Sequence, residues 1–223
     1  MVARVLCFAG ILSLCAFGLS RSYGAENANT WQKVYIKDGV EVFRKKLEGT
    51  PILGFAGEVM MSASPGKIMA IMSDIDNKPK WVDRMIENRV LEQLNPSTQV
   101  EYSHFSAPWP VSNREFVYRV QARYRPSGES TIDVRSIEHQ GAPHAEGSVL
   151  GEILEARYIL KSVTGTNTKV RVEVLMDPKG SLPTWLVNLV QESWPFKTLT
   201  ALRDRVMIMP NPDPKTYERF LAH

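Results

Sequence analysis

Cysteine is nearly absent from this sequence. Its 223 residues include two, Cys7 and Cys15, and both lie in an apolar stretch close to the N-terminus. Without that stretch the chain would contain no thiol, so it could form neither a disulfide framework nor a thiolate metal site. Because Leu14 stands where a lipoprotein signal favours a small residue, we treat lipidation of Cys15 as the lesser alternative.

Histidine and the motifs of common catalytic sites are also scarce. His139 and His144 flank a glycine and a proline in a predicted loop, without the spacing that places metal ligands on one regular element. The sequence contains neither a Gly-x-Ser-x-Gly elbow nor a phosphate-cradling glycine motif. Asp74 and Asp76 surround a predicted helix end, which is more typical of capping than of paired acid–base chemistry. We therefore expect no metal site and no cofactor, and we assign no catalytic residue.

The sequence has no strong excess of one charge. Lys and Arg number 27 and Asp and Glu number 24, which gives a net charge of +3. Removal of an N-terminal segment carrying Arg4 and Arg21 would lower that charge to about +1. Nucleic-acid binding requires a concentrated basic face, so we expect no nucleic-acid partner.

The N-terminus has the three parts of a secretory signal peptide. Arg4 supplies a positive charge, residues 5–19 are apolar, and residues 21–25 are small or polar. The apolar run is shorter than the roughly 20 residues of a membrane-spanning helix. We therefore predict a signal peptide over residues 1–24, cut after Gly24, and export to the periplasm or the medium. If it stayed uncleaved, the segment would anchor the chain in a membrane.

Alternation of apolar and polar residues predicts an antiparallel sheet with one covered and one solvated face. Two strands are expected over residues 40–47 and 53–61, followed by a helix that Ser64 caps and Pro65 opens. Four further strands show the alternation. Their predicted covered residues are Val100, Tyr102 and His104; Phe116, Tyr118, Val120, Ala122 and Tyr124; Leu154, Ala156, Tyr158 and Leu160; and Val170, Val172, Val174 and Met176.

A long C-terminal helix is predicted over residues 184–207, with apolar residues recurring on one face. Pro195 lies inside it, so we expect a kink there. Three prolines in residues 209–214 favour an extended tail, which divides the chain into a domain at 25–209 and a tail at 210–223. One sheet covered by one helix is a two-layer α+β fold.

The tyrosines on the predicted covered face suggest a cavity. Buried tyrosine hydroxyls need hydrogen-bond partners, and several on one face could surround water or a polar group of a ligand. Ordinary core tyrosines with local partners are an equally good explanation.

Three motifs follow one another in order. Residues 108–113 form a proline-rich turn, and Arg114-Glu115-Phe116 follows it. Residues 176–185 hold an Asp, a Gly and a Pro just before the long helix, and Asp74 and Trp81 form the third motif. From residue 31 to 205 the sequence resembles the steroidogenic-acute-regulatory-related lipid transfer (START) family. Glu115 departs from the aspartate that is commonest in the family's triplet.

The resemblance implies a helix-grip fold, in which a curved antiparallel sheet wraps a long C-terminal helix and encloses a tunnel for one lipid. The ligand would be a sterol, a phospholipid or a similar apolar molecule, held by a monomer that contacts membranes transiently. Most members carry or sense lipid without chemistry. The alternative is an enzyme of the same superfamily, a cyclase or hydratase, with His104, Tyr102 and Tyr118 as acid–base candidates.

The predicted cavity and gate residues include two with open roles. Arg114 could meet a lipid head group or form a structural ion pair. His104 could contact a ligand hydroxyl or be a hydrogen-bonded core histidine. The gate would be the long helix with the edges at 108–113 and 180–183, where tryptophans could contact a membrane or simply pack. The full set is Trp81, Tyr102, His104, Trp109, Arg114, Tyr118, Tyr158, Met176, Trp185, Leu186, Leu189, Val190 and Phe196.

Overall fold

The computed structural model describes residues 30–221. The predicted signal peptide, both cysteines and His223 lie outside that range. No helix in the described part of the chain is long and apolar enough to cross a membrane.

Ten strands form one curved antiparallel sheet, with a single short parallel pairing between β6 and β8. The order across the sheet is β1-β2-β3-β10-β9-β7-β6-β5-β4, so β1 and β4 are its edges. The strands are β1 Gln32–Lys37, β2 Val40–Leu47, β3 Thr50–Met61, β4 Met85–Asn95, β5 Thr98–Phe105, β6 Arg114–Arg123, β7 Glu129–Ser136, β8 Val149–Leu150, β9 Glu152–Thr164 and β10 Asn167–Asp177.

Within residues 30–221, three α-helices and one 3₁₀ helix accompany the sheet. Helix α1 is Pro65–Met72, and the Ser64 side chain caps it by accepting a bond from the Lys67 amide. The 3₁₀ helix Ile75–Lys80 follows, and the short α3, Lys215–Glu218, comes near the end of the chain. Helix α2, Thr184–Ile208, lies in the concave face, so the α+β helix-grip fold is confirmed.

Helix α2 approaches the sheet closely at β3. Gly57 faces the helix, and a Cβ there would stand 2.8 Å from both Pro195 Cβ and Leu199 Cδ1. Pro195 is buried, and the helix continues through it to Ile208. Leu199, Leu202 and Val206 pack against β2, β3 and α1 in the main core. This packing holds the C-terminal half of α2 on one side of the sheet and leaves space under the other side.

Two sequence-predicted faces differ from the structure. In β5 the residues predicted to face inward, Val100 and Tyr102, pack instead on the convex face with Val117. The segment of residues 137–148 covers that face, so apolar side chains are buried there too. In β9 a register shift beside Met176 brings Ile153, rather than Leu154, to the concave face.

The last residues also differ from the extended tail that the prolines suggest. Helix α3 contacts α1, Phe220 is buried in the main core, and Leu221 forms a parallel bridge with Tyr124. The prolines end α2 and turn the chain back onto the sheet.

Candidate functional site

A cavity of about 690 Å³ lies between α2 and the concave face of the sheet. Strands β6, β7, β9 and β10 contribute apolar side chains, and α2 closes the opposite side. The size falls within the range of pockets that enclose one small ligand. Apolar lining residues include Phe105, Phe116, Val120, Ile132, Val134, Tyr158, Val174, Met176, Leu186 and Trp194.

An ion pair is buried in this mostly apolar lining. Lys78, from the 3₁₀ helix, lies 2.9 Å from the carboxylate of Glu101 on β5, whose side chain is 1% exposed. Asn88 and Gln99 also donate to this carboxylate, at 3.0 Å and 2.8 Å. A buried carboxylate is tolerable only with such compensation.

Tyr118 joins the pair to a chain of hydroxyl and amide groups. Its Oη lies 3.3 Å from the Glu101 carboxylate and 3.1 Å from Asn88 Oδ1. Ser103 bonds both Tyr118 Oη and Asn88 Oδ1. The cross-strand pairs Glu101–Tyr118 and Ser103–Phe116 place these side chains on one face. We call Lys78, Asn88, Gln99, Glu101, Ser103 and Tyr118 the polar cluster.

The protonation states in the polar cluster follow from burial and charge. Burial acts to raise the pKa of Glu101, but Lys78 and the donors from Asn88 and Gln99 outweigh it and hold that pKa below its ordinary value. Burial, and then the negative charge of Glu101, raise the pKa of Tyr118 and of Tyr158 above 10. The cavity therefore holds an ionised carboxylate beside neutral phenols at neutral pH.

Three polar atoms along the cavity have no hydrogen-bond partner among residues 30–221: Trp81 Nε1, Gln191 Oε1 and Thr198 Oγ1. Gln191 and Thr198 are 3% and 2% exposed, and both line the cavity from α2. They are seven residues apart, so they share one face of the helix about 10 Å apart. Buried polar groups are normally satisfied, so these atoms can bond a polar ligand group or water.

The cavity opens beside the N-terminal half of α2. Leu189 and Val190 line it and are also exposed, which places them at the opening. Trp185 and Trp109 lie next to the lining residues Leu186 and Pro108 and are 68% and 93% exposed. We call this region, made of residues 106–111 and 182–190, the mouth.

Arg114 ties the two sides of the mouth together. Its side chain donates to the carbonyl oxygens of Ser112 and Asn113 in one loop and of Pro178 and Lys179 in the other. Its partners are therefore backbone carbonyls rather than a buried acid. Arg114 lines the cavity, but its hydrogen bonds connect the two loops and stabilise their positions.

The structure brings together eight of the predicted site residues at the cavity: Trp81, Arg114, Tyr118, Tyr158, Met176, Leu186, Leu189 and Val190. Trp109 and Trp185 belong to the mouth, where both are exposed. Phe196 lies outside the cavity, packed against the main core with Lys37 over its ring.

Tyr102 and His104 are corrections, because both lie on the convex face of β5. Tyr102 donates to the buried Glu115 carboxylate at 3.0 Å, and Glu115 also bonds His144 and the Ala145 amide. His104 bonds the Ser148 hydroxyl at 3.0 Å. These side chains hold the covering segment of residues 137–148, so the enzyme alternative loses the histidine on which it depended.

Four residues that line the cavity, Lys78, Glu101, Arg219 and Phe220, were not predicted from the sequence. The alternation in β5 predicts that Glu101 lies on the solvated face, but it stands opposite Tyr118 in the β5–β6 register. That register was the one signal that could have identified it. Within residues 30–221 no cluster of His, Cys, Asp and Glu is suited to hold a metal ion.

A family model described as START domain matches residues 19–206. A Pseudomonas aeruginosa protein is 28% identical over 198 residues, covering 86% of this chain and 93% of that protein. The mouse phosphatidylcholine transfer protein is 23% identical over 162 residues, covering 71% of this chain and 75% of that protein.

A solved structure has the same architecture. A fragment of the STAR-related lipid transfer protein from Xanthomonas axonopodis superposes with a TM-score of 0.70 at 28% identity. The match covers 79% of this chain and 98% of that fragment. Its sheet and C-terminal helix therefore correspond to those described above.

Proposed function

This chain belongs to the START domain family, and we propose that it binds a single lipid in the cavity, for transfer or sensing outside the cytoplasm. Lipid binding is the general property that the family and the relatives support. The observation that carries the proposal is one enclosed apolar cavity with a buried, ionised polar cluster in its wall.

Apolar burial supplies the affinity in this proposal. Each methylene removed from water contributes about 0.8 kcal/mol, so a chain of about 16 carbons gains roughly 12 kcal/mol. Part of that gain is offset by the freedom that the bound ligand loses. The cavity between α2 and the sheet can remove such a chain from water on all sides, which an open groove cannot do.

The polar cluster would orient the ligand. Lys78 and Glu101 offer a cation and an anion, and Tyr118 and Ser103 offer hydroxyls. A lipid with a hydroxyl, an amide or a zwitterionic head can hydrogen-bond there, whereas a pure hydrocarbon leaves the cluster without new partners. Thr198 and Gln191 provide further partners along the helix. We therefore propose an amphipathic ligand, a sterol or phospholipid class of molecule, rather than an alkane.

Loading would occur at the mouth. Trp109 and Trp185 present exposed indoles beside the opening, and indoles favour the membrane interface. We propose that the mouth contacts a membrane transiently and that α2 and the 106–111 loop separate to admit the lipid. We further propose that the carrier is a monomer and that its N-terminal segment directs export.

The test is lipid capture with a cavity-filling control. Native mass spectrometry of the protein purified from its own host should show one bound lipid, and the empty protein should extract lipid from vesicles. Ala156→Trp places an indole in the cavity and should abolish retention, whereas Ile159→Trp, on the opposite face of β9, should not. Empty wild-type protein that extracts nothing from vesicles would contradict the proposal.

A further inference from the structure

The last residues of the chain close one end of the cavity. Arg219 and Phe220 line it, and the Phe220 side chain is 6% exposed. They follow α3, which packs against α1. We call Arg219 and Phe220 the wall. The START domain match ends at residue 206, so the wall is formed by residues beyond the part of the chain that the family model describes.

The wall lies opposite the mouth. Strand β6 begins at Arg114, beside the mouth, and ends at Arg123, next to Tyr124 and Phe220. Ten residues of strand span about 30 Å. The polar cluster lies between the two ends, because Tyr118 is near the middle of β6. A lipid chain that enters at the mouth and passes Tyr118 therefore points at Phe220.

Several contacts hold the wall in place. The Tyr124 amide donates to the Phe220 carbonyl at 2.6 Å. The Tyr217 ring lies against Gly66 of α1, where a Cβ would stand 2.6 Å from it, and packs edge-on against Tyr124 at 5.2 Å between ring centres. Arg219 lies over the Phe220 ring, 4.6 Å from its centre. Phe220 is thus anchored from both sides.

The wall is thin. A second cavity lies between α1 and α3, and Ser73 and Arg219 line both it and the lipid cavity. Removal of the Phe220 ring would therefore extend the lipid cavity toward the second cavity, and no strand of the sheet would have to move.

We propose that Phe220 sets the maximal chain length of the lipid that this protein accepts. The proposal rests on the proposed function, since it requires a lipid chain in the cavity. Chains that end before the ring gain affinity with every added methylene, about fourfold each. Chains that would reach past the ring overlap the Phe220 side chain, which its neighbours hold in place, and are rejected.

The experiment measures which chain lengths the full chain extracts. Vesicles contain equal amounts of phosphatidylcholines with saturated chains from about 12 to about 20 carbons, and bound lipid is identified by mass spectrometry. Wild-type occupancy should rise with length and then fall sharply. Phe220→Ala should move that cut-off to longer chains, with up to about fourfold more occupancy per added methylene. Phe220→Trp should move it to shorter chains.

Leu221→Ala is the matched control, because Leu221 neighbours Phe220 but does not line the cavity. It should keep the wild-type cut-off. Circular dichroism identifies folded variants, and Phe220→Leu replaces Phe220→Ala if the latter does not fold. Folded Phe220 variants with the wild-type cut-off, or a wild type without any cut-off, would overturn the proposal. A wild type that extracts no lipid from any vesicle would instead overturn the proposed function.

Discussion

At the scale of single residues, the buried ion pair of Lys78 and Glu101 has a large effect on the free energy of folding. Two charges removed from water cost several kcal/mol each, and their attraction repays this only with good geometry and extra hydrogen bonds. Asn88 and Gln99 supply those bonds. Replacement of a buried ion pair by well-packed apolar side chains is often neutral or stabilising, so folding stability alone does not account for these two charges.

Replacement of Glu101 by Gln should destabilise the protein by about 3 kcal/mol at pH 7, because Lys78 loses its partner. The folded-state pKa of Glu101 is lowered, so its contribution is complete above the ordinary carboxyl pKa and is lost as the pH falls through the folded-state value. The difference between variant and wild type should therefore shrink below about pH 4.

Urea unfolding at several pH values measures this difference. Glu155→Gln, an exposed glutamate on β9, serves as the control and should cost little at any pH. A Glu101→Gln penalty that stays constant from pH 7 to the acid range would contradict the assigned role of the ionised carboxylate.

At the scale of elements, the position of α2 over the sheet depends on one glycine. Gly57 lets Pro195 and Leu199 approach β3 closely. Glycine in a strand is otherwise unfavourable because of its conformational freedom. The close contact fixes α2 near its middle, and side-chain hydrogen bonds from Asn188 and Gln191 connect its N-terminal half to the backbone of β3 and β10.

Gly57→Ala should therefore destabilise the protein by about 1–3 kcal/mol, since the added methyl overlaps two side chains of α2. Gly54→Ala is the control in the same strand, because its Cβ would meet nothing closer than 3.6 Å; it should be neutral or slightly stabilising. Thermal unfolding of both variants checks this, and equal melting temperatures would refute the close-packing argument.

At the scale of the whole molecule, four exposed apolar side chains lie together at the mouth, and the opposite end of the cavity is closed by Phe220. Trp109, Trp185, Leu189 and Val190 are exposed there, and exposed apolar patches of this kind mark interaction sites. If the protein is a lipid carrier, as proposed, the lipid would enter and leave at the mouth, so contact with a membrane and opening of the cavity would occur at the same place.

Trp109→Ser combined with Trp185→Ser should weaken binding to vesicles by about tenfold or more, since each indole leaves the interface. Stability should change little, because both side chains are exposed. Trp31→Ser is the comparison, since Trp31 packs with Lys45 and Arg171 on the sheet; it should affect stability more than vesicle binding. Vesicle co-sedimentation measures the binding, and unchanged binding of the double variant would exclude the mouth as the docking surface.

Much of the architecture was predictable from local sequence. The alternation in β6 and β10 and the Ser64-Pro65 start of α1 were confirmed, because half-buried strands and helix caps depend on nearby residues. The helical repeat of α2 was predictable for the same reason, and the helix continues through Pro195 to Ile208. Strands β1, β4, β7 and β8 carried too weak a pattern to be predicted.

Sequence alone therefore determined the two-layer α+β class and the apolar residues of most strands, since these follow from the period of each element, and the family resemblance implied the helix-grip arrangement. Tertiary structure alone decided which face of β5 is inside, because residues 137–148 cover its other face and bury Tyr102 there. It also decided that Lys78 meets Glu101, 23 residues away, and that Phe220 closes the cavity. Such contacts depend on strand register and on chain segments folding back, and no local pattern encodes them.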